Sequence, residues 1–242
     1  MDREHWIVIP TYNERKNIET LIPLIFAHAP TAHVLVVDDA SPDGTQEAVR
    51  ALLERYPQLE LYAHNQKAGF AKAYIDAFRL LLDREPQLES LVMMDADLSH
   101  DASTLPSFFE RLQDSELVIG SRYIPGGSVV GWEWWRNVLS RGGNVYLRTV
   151  SGLPIRDVTG GFNGIRASAL RRIVVEDSMA RGYAFQFLLK SLLLASNARY
   201  VELPIVFRNR VEGESKLTHH IITEALILPW RLKWNSRRPT AQ

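Results

Sequence analysis

The sequence predicts an α/β fold: a doubly wound, mostly parallel sheet flanked by helices, with an amphipathic helix at its C-terminal end. Three observations carry that expectation. Short apolar runs, Trp6-Ile7-Val8-Ile9, Val34-Leu35-Val36-Val37 and Leu91-Val92-Met93-Met94, read as strands buried on both faces. Helical apolar periodicity fills the intervals between them. Each run ends in a polar or acidic cluster, where open parallel sheets receive ligands.

In chain order, the first strand is expected to be broken by Pro10. Thr11 to Glu14 follow, then a helix over about 17–27 carrying Ile18, Leu21, Ile22 and Ile25. The second strand ends in Asp38-Asp39. Ser41-Pro42-Asp43-Gly44-Thr45 is then a turn with capping side chains that opens a helix to about Tyr56. Leu59 to Ala63 is a third strand, residues 70–83 a helix, and Leu91 to Met94 the fourth strand. Later come a helix over 103–112, a strand at Leu117-Val118-Ile119, and a Gly- and Trp-rich loop from Pro125 to Trp135. That loop opens a helix bearing Arg136, Ser140, Arg141 and Arg148. Asp157 to Phe162 form a turn, 184–195 a nearly continuous apolar helix, and 200–207 a strand interrupted by Pro204. Two regions result, a catalytic domain over 1–216 and a helix with a basic tail over 217–242.

Composition narrows the function. Lys plus Arg number 28 and Asp plus Glu 28, so no nucleic-acid partner is expected. There is no cysteine, hence no disulfide or zinc-thiolate chemistry. A strand starts almost at once, so no leader is expected, and no apolar run reaches the ~20 residues a bilayer demands. No G-x-G-x-x-G follows the first strand and no G-x-x-x-x-G-K-[ST] occurs, which disfavours dinucleotide and P-loop enzymes. The chain is expected to be soluble or to lie on a membrane, not to cross one.

Asp95-Ala96-Asp97 carries the chemistry. In extended chain, positions i and i+2 face the same way. Two carboxylates held that close repel unless a cation lies between them or one is protonated. Oxygen donors suit Mg2+ or Mn2+, which keep waters and accept substrate phosphates. An Asp-rich turn is the plainer alternative.

Six motifs in order then identify a family. P-T-Y-N-E (10–14), V-D-D-x-S-P-D-G-T (37–45), D-A-D (95–97), G-S-R-Y (120–123), G-G-F (160–162) and E-G-E-S-K (212–216) resemble the GT-A glycosyltransferases of family 2. Within them the pattern is similar to the polyprenyl (dolichyl) phosphate mannose synthases, over nearly the whole chain. The resemblance implies a GT-A fold and inverting transfer of mannose from GDP-mannose to a polyprenyl or dolichyl monophosphate. UDP-glucose as donor, or an idle nucleotide- or lipid-binding domain, are the alternatives.

The resemblance also implies residue roles. Pro10, Tyr12, Glu14, Val37, Asp39, Gly69, Asp95, Ala96 and Asp97 would bind the donor. Asp95, Asp97 and Ser99 would hold the metal, with Ser99 where the family usually has Gln. Phe70 replaces the usual Leu after Gly69. Arg122, Arg136, Ser140, Arg210 and Lys216 would bind the acceptor phosphate, and Asp97, Arg122 and Arg210 would be catalytic. Asp38 is expected to cap its turn, His100 to be structural, Arg141 to be solvated, and Asp157 to orient an arginine or the acceptor loop. Trp132, Trp134 and Trp135, with the basic apolar helix 217–234, suit a membrane interface or a membrane-bound partner protein, and the resemblance implies a cytoplasmic chain, peripheral on the cytoplasmic face of a membrane; the alternative for that helix is core packing with a disordered basic end.

Overall fold

The computed structural model describes residues 4–175, 184–209 and 230. Its seven-stranded sheet is built from β1 (Glu4–Thr11), β2 (His33–Asp38), β3 (Leu59–Ala63), β4 (Leu88–Met93), β5 (Leu117–Ser121), β7 (Asn163–Arg166) and β8 (Tyr200–Pro204). The order is β3-β2-β1-β4-β7-β5-β8, with β7 antiparallel to both neighbours and the other pairings parallel. A separate parallel pair joins β6 (Ser128–Val130) to β9 (Val206–Arg208).

Helices cover both faces, as the alternation of side chains along β1 requires. Ile7 and Ile9 face α1 (Arg15–His28), α2 (Thr45–Leu53) and α4 (Leu105–Arg111). Trp6 and Val8 face α3 (Phe70–Arg84), α5 (Trp134–Ser151), α6 (Ala167–Leu170) and α7 (Ala184–Ala195). Both faces are dry, which explains why the strands read as continuous apolar runs.

Several expectations shift. Pro10 does not break β1, which continues to Thr11. The carbonyl of Val8 accepts from Met94 on the β4 side, so Pro10, two residues on, turns its missing N–H to an edge where that ladder has ended. The Ser41–Thr45 turn caps α1 as well as leading into α2. Backbone N–H groups of Asn13, Glu14 and Arg15 donate to Ser41 Oγ, Thr45 Oγ1 and Asp43 Oδ2 at 3.0, 3.0 and 3.2 Å. The helix predicted over 103–112 opens with a 3-10 turn at Ala102–Thr104. The strand predicted over 200–207 divides at Ile205 into β8 and β9, each on a different sheet. Two strands lie outside the expected set, β6 and β7, three and four residues long. The helix and basic tail of 217–242 lie outside the described residues, apart from Trp230.

Candidate active site

The site lies along the sheet edge where β1, β2, β4 and β5 end and the reversed β7 begins. The loops after β1, β2 and β4 each place a non-glycine residue in the left-handed region: Asn13 (φ 61°), Ala40 (φ 58°) and Leu98 (φ 60°). Such backbone is uphill for an L-residue and collects where loops are shaped around ligands.

Asp95 and Asp97 stand just past β4. The Asp95 side chain is 25% exposed and its backbone N–H donates to His100 Nδ1 at 3.1 Å. Asp97 is 4% exposed, and its Oδ1 accepts both the N–H (3.1 Å) and the hydroxyl of Ser99. Ser99 itself is fully buried, so its hydroxyl orients the Asp97 carboxylate. His100 is buried and stacks on Phe162, with ring centroids 4.7 Å apart. Tyr74 of α3 is fully buried with its hydroxyl unpartnered. Burial, with the fields of Asp95 and Asp97, pushes that phenol well above its usual range. Among the described residues no group of three or more His, Cys, Asp or Glu side chains is poised around an ion. The donor set present is two carboxylates on one short stretch. That fits Mg2+ or Mn2+, which take one or two carboxylates and draw the rest from water and substrate phosphate.

At the β2 end, Asp39 is engaged by its own surroundings. Asp39 accepts from the N–H groups of Ala68 (2.7 Å) and Gly69 (2.9 Å) and pairs with His64 Nδ1 (3.0 Å). Burial would raise its pKa, but these bonds outweigh it and hold the carboxyl below its usual value. Three of its roughly four acceptor sites are thus given to the loop between β3 and α3. His64 Nε2 comes within 3.2 Å of Asp76 Oδ2, off the line a hydrogen bond needs. In the same loop, Lys67 Nζ sits 3.5 Å from the centre of the Tyr12 ring, a cation–π contact. Asp38 is fully buried and accepts from Thr11, Ser41 and Gln46, as turn capping requires. Val37 is fully buried, so only its backbone can meet a ligand. Glu14 accepts from Asn17 Nδ2 at 2.7 Å.

Across the edge, Arg122 is locked onto Asp157. Its Nε and Nη2 reach Asp157 Oδ2 and Oδ1 at 2.7 and 2.8 Å, and Nη2 also donates to Thr159 Oγ1 at 3.0 Å. The planar fork matches the carboxylate, and the Nη1 edge takes no part in this clamp. Asp157 is fully buried; desolvation alone would raise its pKa, yet Arg122 drives it down to about 2. Burial works against the Arg122 charge, but Asp157 more than offsets it and the guanidinium is held more basic than usual. Asn144 of α5 accepts from Val158 and Thr159 and fastens the turn to the helix. Ser140 and Tyr123 hydroxyls meet at 2.7 Å, and Arg136 lies over Trp132, 4.9 Å from its ring centre. Trp132 and His100 both pack on Phe207, at 5.5 and 5.7 Å, so one aromatic bridge links the Asp95 loop to the arginines. Gly161 seals the seam: a Cβ there would lie 3.3 Å from Asp95 Oδ2. Arg141 is exposed, 5.8 Å from the Tyr123 ring. Arg210 and Lys216 lie outside the described residues.

Sequence reasoning missed Asn144, Thr159, Lys67 and Lys190. Lys190 alone left a clear trace, as the one cation in the apolar stretch 184–195.

Comparison with known proteins agrees with this geometry. The glycosyl transferase family 2 model matches residues 6–174. An undecaprenyl-phosphate mannosyltransferase of Micrococcus luteus is 38% identical over 91% of this chain and 90% of its own length. A polyprenol monophosphomannose synthase of Mycolicibacterium smegmatis is 36% identical over 94% and 86%. A dolichol-phosphate mannosyltransferase of Pyrococcus furiosus is also 36% identical, over 94% of this chain and 63% of that protein. Among solved structures, a mannosyltransferase of Pyrobaculum calidifontis in complex with GDP-Man and Mn2+ shares the fold with a TM-score of 0.63 at 22% identity, over 99% of this chain and 66% of that one. Sequence, sheet order and the acidic edge agree, and the chain belongs to glycosyl transferase family 2.

Proposed function

We propose that this protein transfers mannose from GDP-mannose to a polyprenyl or dolichyl monophosphate, inverting the anomeric carbon to give a β-linked lipid phosphomannose. The observation that carries the reading is the single edge shared by Asp95 and Asp97 on one side and by Arg122, Arg136 and Ser140 on the other. The curated relatives, named for mannose transfer to such lipid phosphates over most of the chain, support the same substrates.

In the reaction an acceptor phosphate oxygen forms a bond to the anomeric carbon while the bond from that carbon to the β-phosphate oxygen breaks. The acceptor is already an anion, so no side chain has to remove a proton. What the protein must do is hold two phosphate-bearing groups close together. Asp95 and Asp97 would hold Mg2+ or Mn2+, whose chemistry there would be to neutralise charge on the departing diphosphate. Ser99 fixes the Asp97 carboxylate for that purpose. Asp39 acts through the loop it ties, presenting Gly69 and Lys67 beside Tyr12 where the nucleoside enters. Arg122, aligned by Asp157, and Arg136 with Ser140 steer the acceptor phosphate; Arg210 and Lys216 extend this set.

The isoprenoid tail calls for a bilayer. No helix among the described residues is long and apolar enough to cross a membrane. Helix α5 instead exposes Trp134, Trp135, Val138, Leu139 and Val145 on one side, with Trp134 78% accessible. That side suits the interfacial zone of a membrane, and we propose a peripheral location there, on the cytoplasmic face.

Incubation with radiolabelled GDP-mannose and a polyprenyl phosphate should yield organic-extractable label, whereas UDP-glucose should not. Asp97→Ala should abolish Mn2+-dependent GDP binding by calorimetry while keeping the wild-type circular dichroism. Transfer to free sugars or proteins in place of the lipid phosphate would overturn the acceptor assignment.

A further inference from the structure

Lys190 is buried inside α7 at 1% exposure. Desolvating an ammonium is costly unless it finds oxygen partners. Here Nζ donates to the backbone carbonyls of Asp157 (3.1 Å) and Gly160 (2.7 Å), the two ends of one turn. The Asp157 carboxylate in that turn grips Arg122, and also accepts the Gly160 N–H at 2.9 Å. The next residue, Gly161, lies against Asp95. The Gly160 carbonyl is shared with Asn163 Nδ2 (3.0 Å), which also donates to Gln186 Oε1 (3.0 Å).

We propose that Lys190 is a positioning residue for the acceptor phosphate: its ammonium ties the ends of the Asp157–Gly160 turn and shares the Asp157 charge with Arg122. The proposal rests on the acceptor reading given above. The charged groups facing Lys190 are Asp157, Arg122 and Glu202. Burial pushes its proton off, Asp157 and Glu202 hold it on, Arg122 opposes it, and the balance lies at about 8. A neutral amine keeps two N–H donors, so the turn can stay tied. What disappears is one positive charge behind Arg122, leaving Asp157 to bind that guanidinium alone and weakening the pull on an incoming phosphate.

The test is a pH profile of both substrates. For the wild type, the acceptor KM should rise on the order of tenfold through an inflection near 8, with KM for GDP-mannose unchanged. Lys190→Met should have a raised acceptor KM at neutral pH and no inflection. Lys190→Gln, polar but uncharged, should behave likewise and serves if the Met variant does not fold. Stability should move in the opposite direction. The folded pKa lies below the ordinary 10.5, so between about 8 and 10.5 the unfolded chain binds more protons. The wild type should therefore gain stability relative to Lys190→Met as pH rises through the window in which its acceptor KM worsens. A merely structural lysine would show the stability difference without the KM inflection. A flat wild-type KM, or an inflection retained in both variants, would overturn the proposal. Absence of any mannose transfer by the wild type at neutral pH would instead overturn the reaction on which it rests.

Discussion

Asp157 illustrates how one buried residue joins stability to chemistry. Its carboxylate is buried with Arg122, and breaking such a pair by removing one charge typically costs about 3–5 kcal/mol. Asp157→Asn should destabilise the fold by that order, lowering the melting temperature by roughly 6–20 °C, and weaken acceptor binding together, measurable by calorimetry and by acceptor KM. Its pKa falls from 3.8 to about 2 on folding, so its contribution is complete above the unfolded value and is lost as pH drops toward 2. An acid titration of stability should show that loss in the wild type and not in the Asn variant. Its expected role of orienting an arginine agrees with the clamp, and turn capping by Asp38 agrees with its buried bonds. Asp39 and Ser99 show the limit of reading a motif. Their chemistry was legible, but whether a carboxylate or hydroxyl faces a ligand or its own loop depends on neighbours such as Ala68, brought in from 29 positions away.

At the scale of elements, apolar runs exposed the buried parallel strands because both sheet faces are covered. β6 and β7 stayed hidden because strands of three or four residues are too short to show a periodicity, and β7 opens on Asn163-Gly164. Loop strain was equally invisible, since Ala40 carries no compositional mark of a left-handed residue. Relief of that strain is testable. Ala40→Gly exchanges a left-handed penalty of ~1–2 kcal/mol for ~0.4–1 kcal/mol of added unfolded-chain entropy. A melting temperature higher by up to ~4 °C is expected in a thermal scan, while Ala40→Val should lower it.

For the whole molecule, the two-sided sheet and the acidic edge followed from local pattern and motif order, whereas the approach of the Arg122–Asp157 turn to Asp95 needed the tertiary fold. The membrane contact proposed for the exposed side of α5 can be measured. Trp134→Ala combined with Trp135→Ala should reduce sedimentation with anionic vesicles at least tenfold, given the ~1.5–3 kcal/mol from burying one large apolar side chain. Turnover of a short, water-soluble acceptor should be unaffected.

The reversed strand β7 has a bearing on assembly. β4 and β5 never touch through backbone ladders; β7 lies between them, Asn163 to Arg166 pairing with β4 and Asn163 to Ile165 with β5. During synthesis the first hundred residues can therefore close into a half-sheet long before its other half has anything to join. Four residues arriving late act as a zipper, and until they are seated neither the acidic pocket nor the guanidinium cluster has an opposite wall.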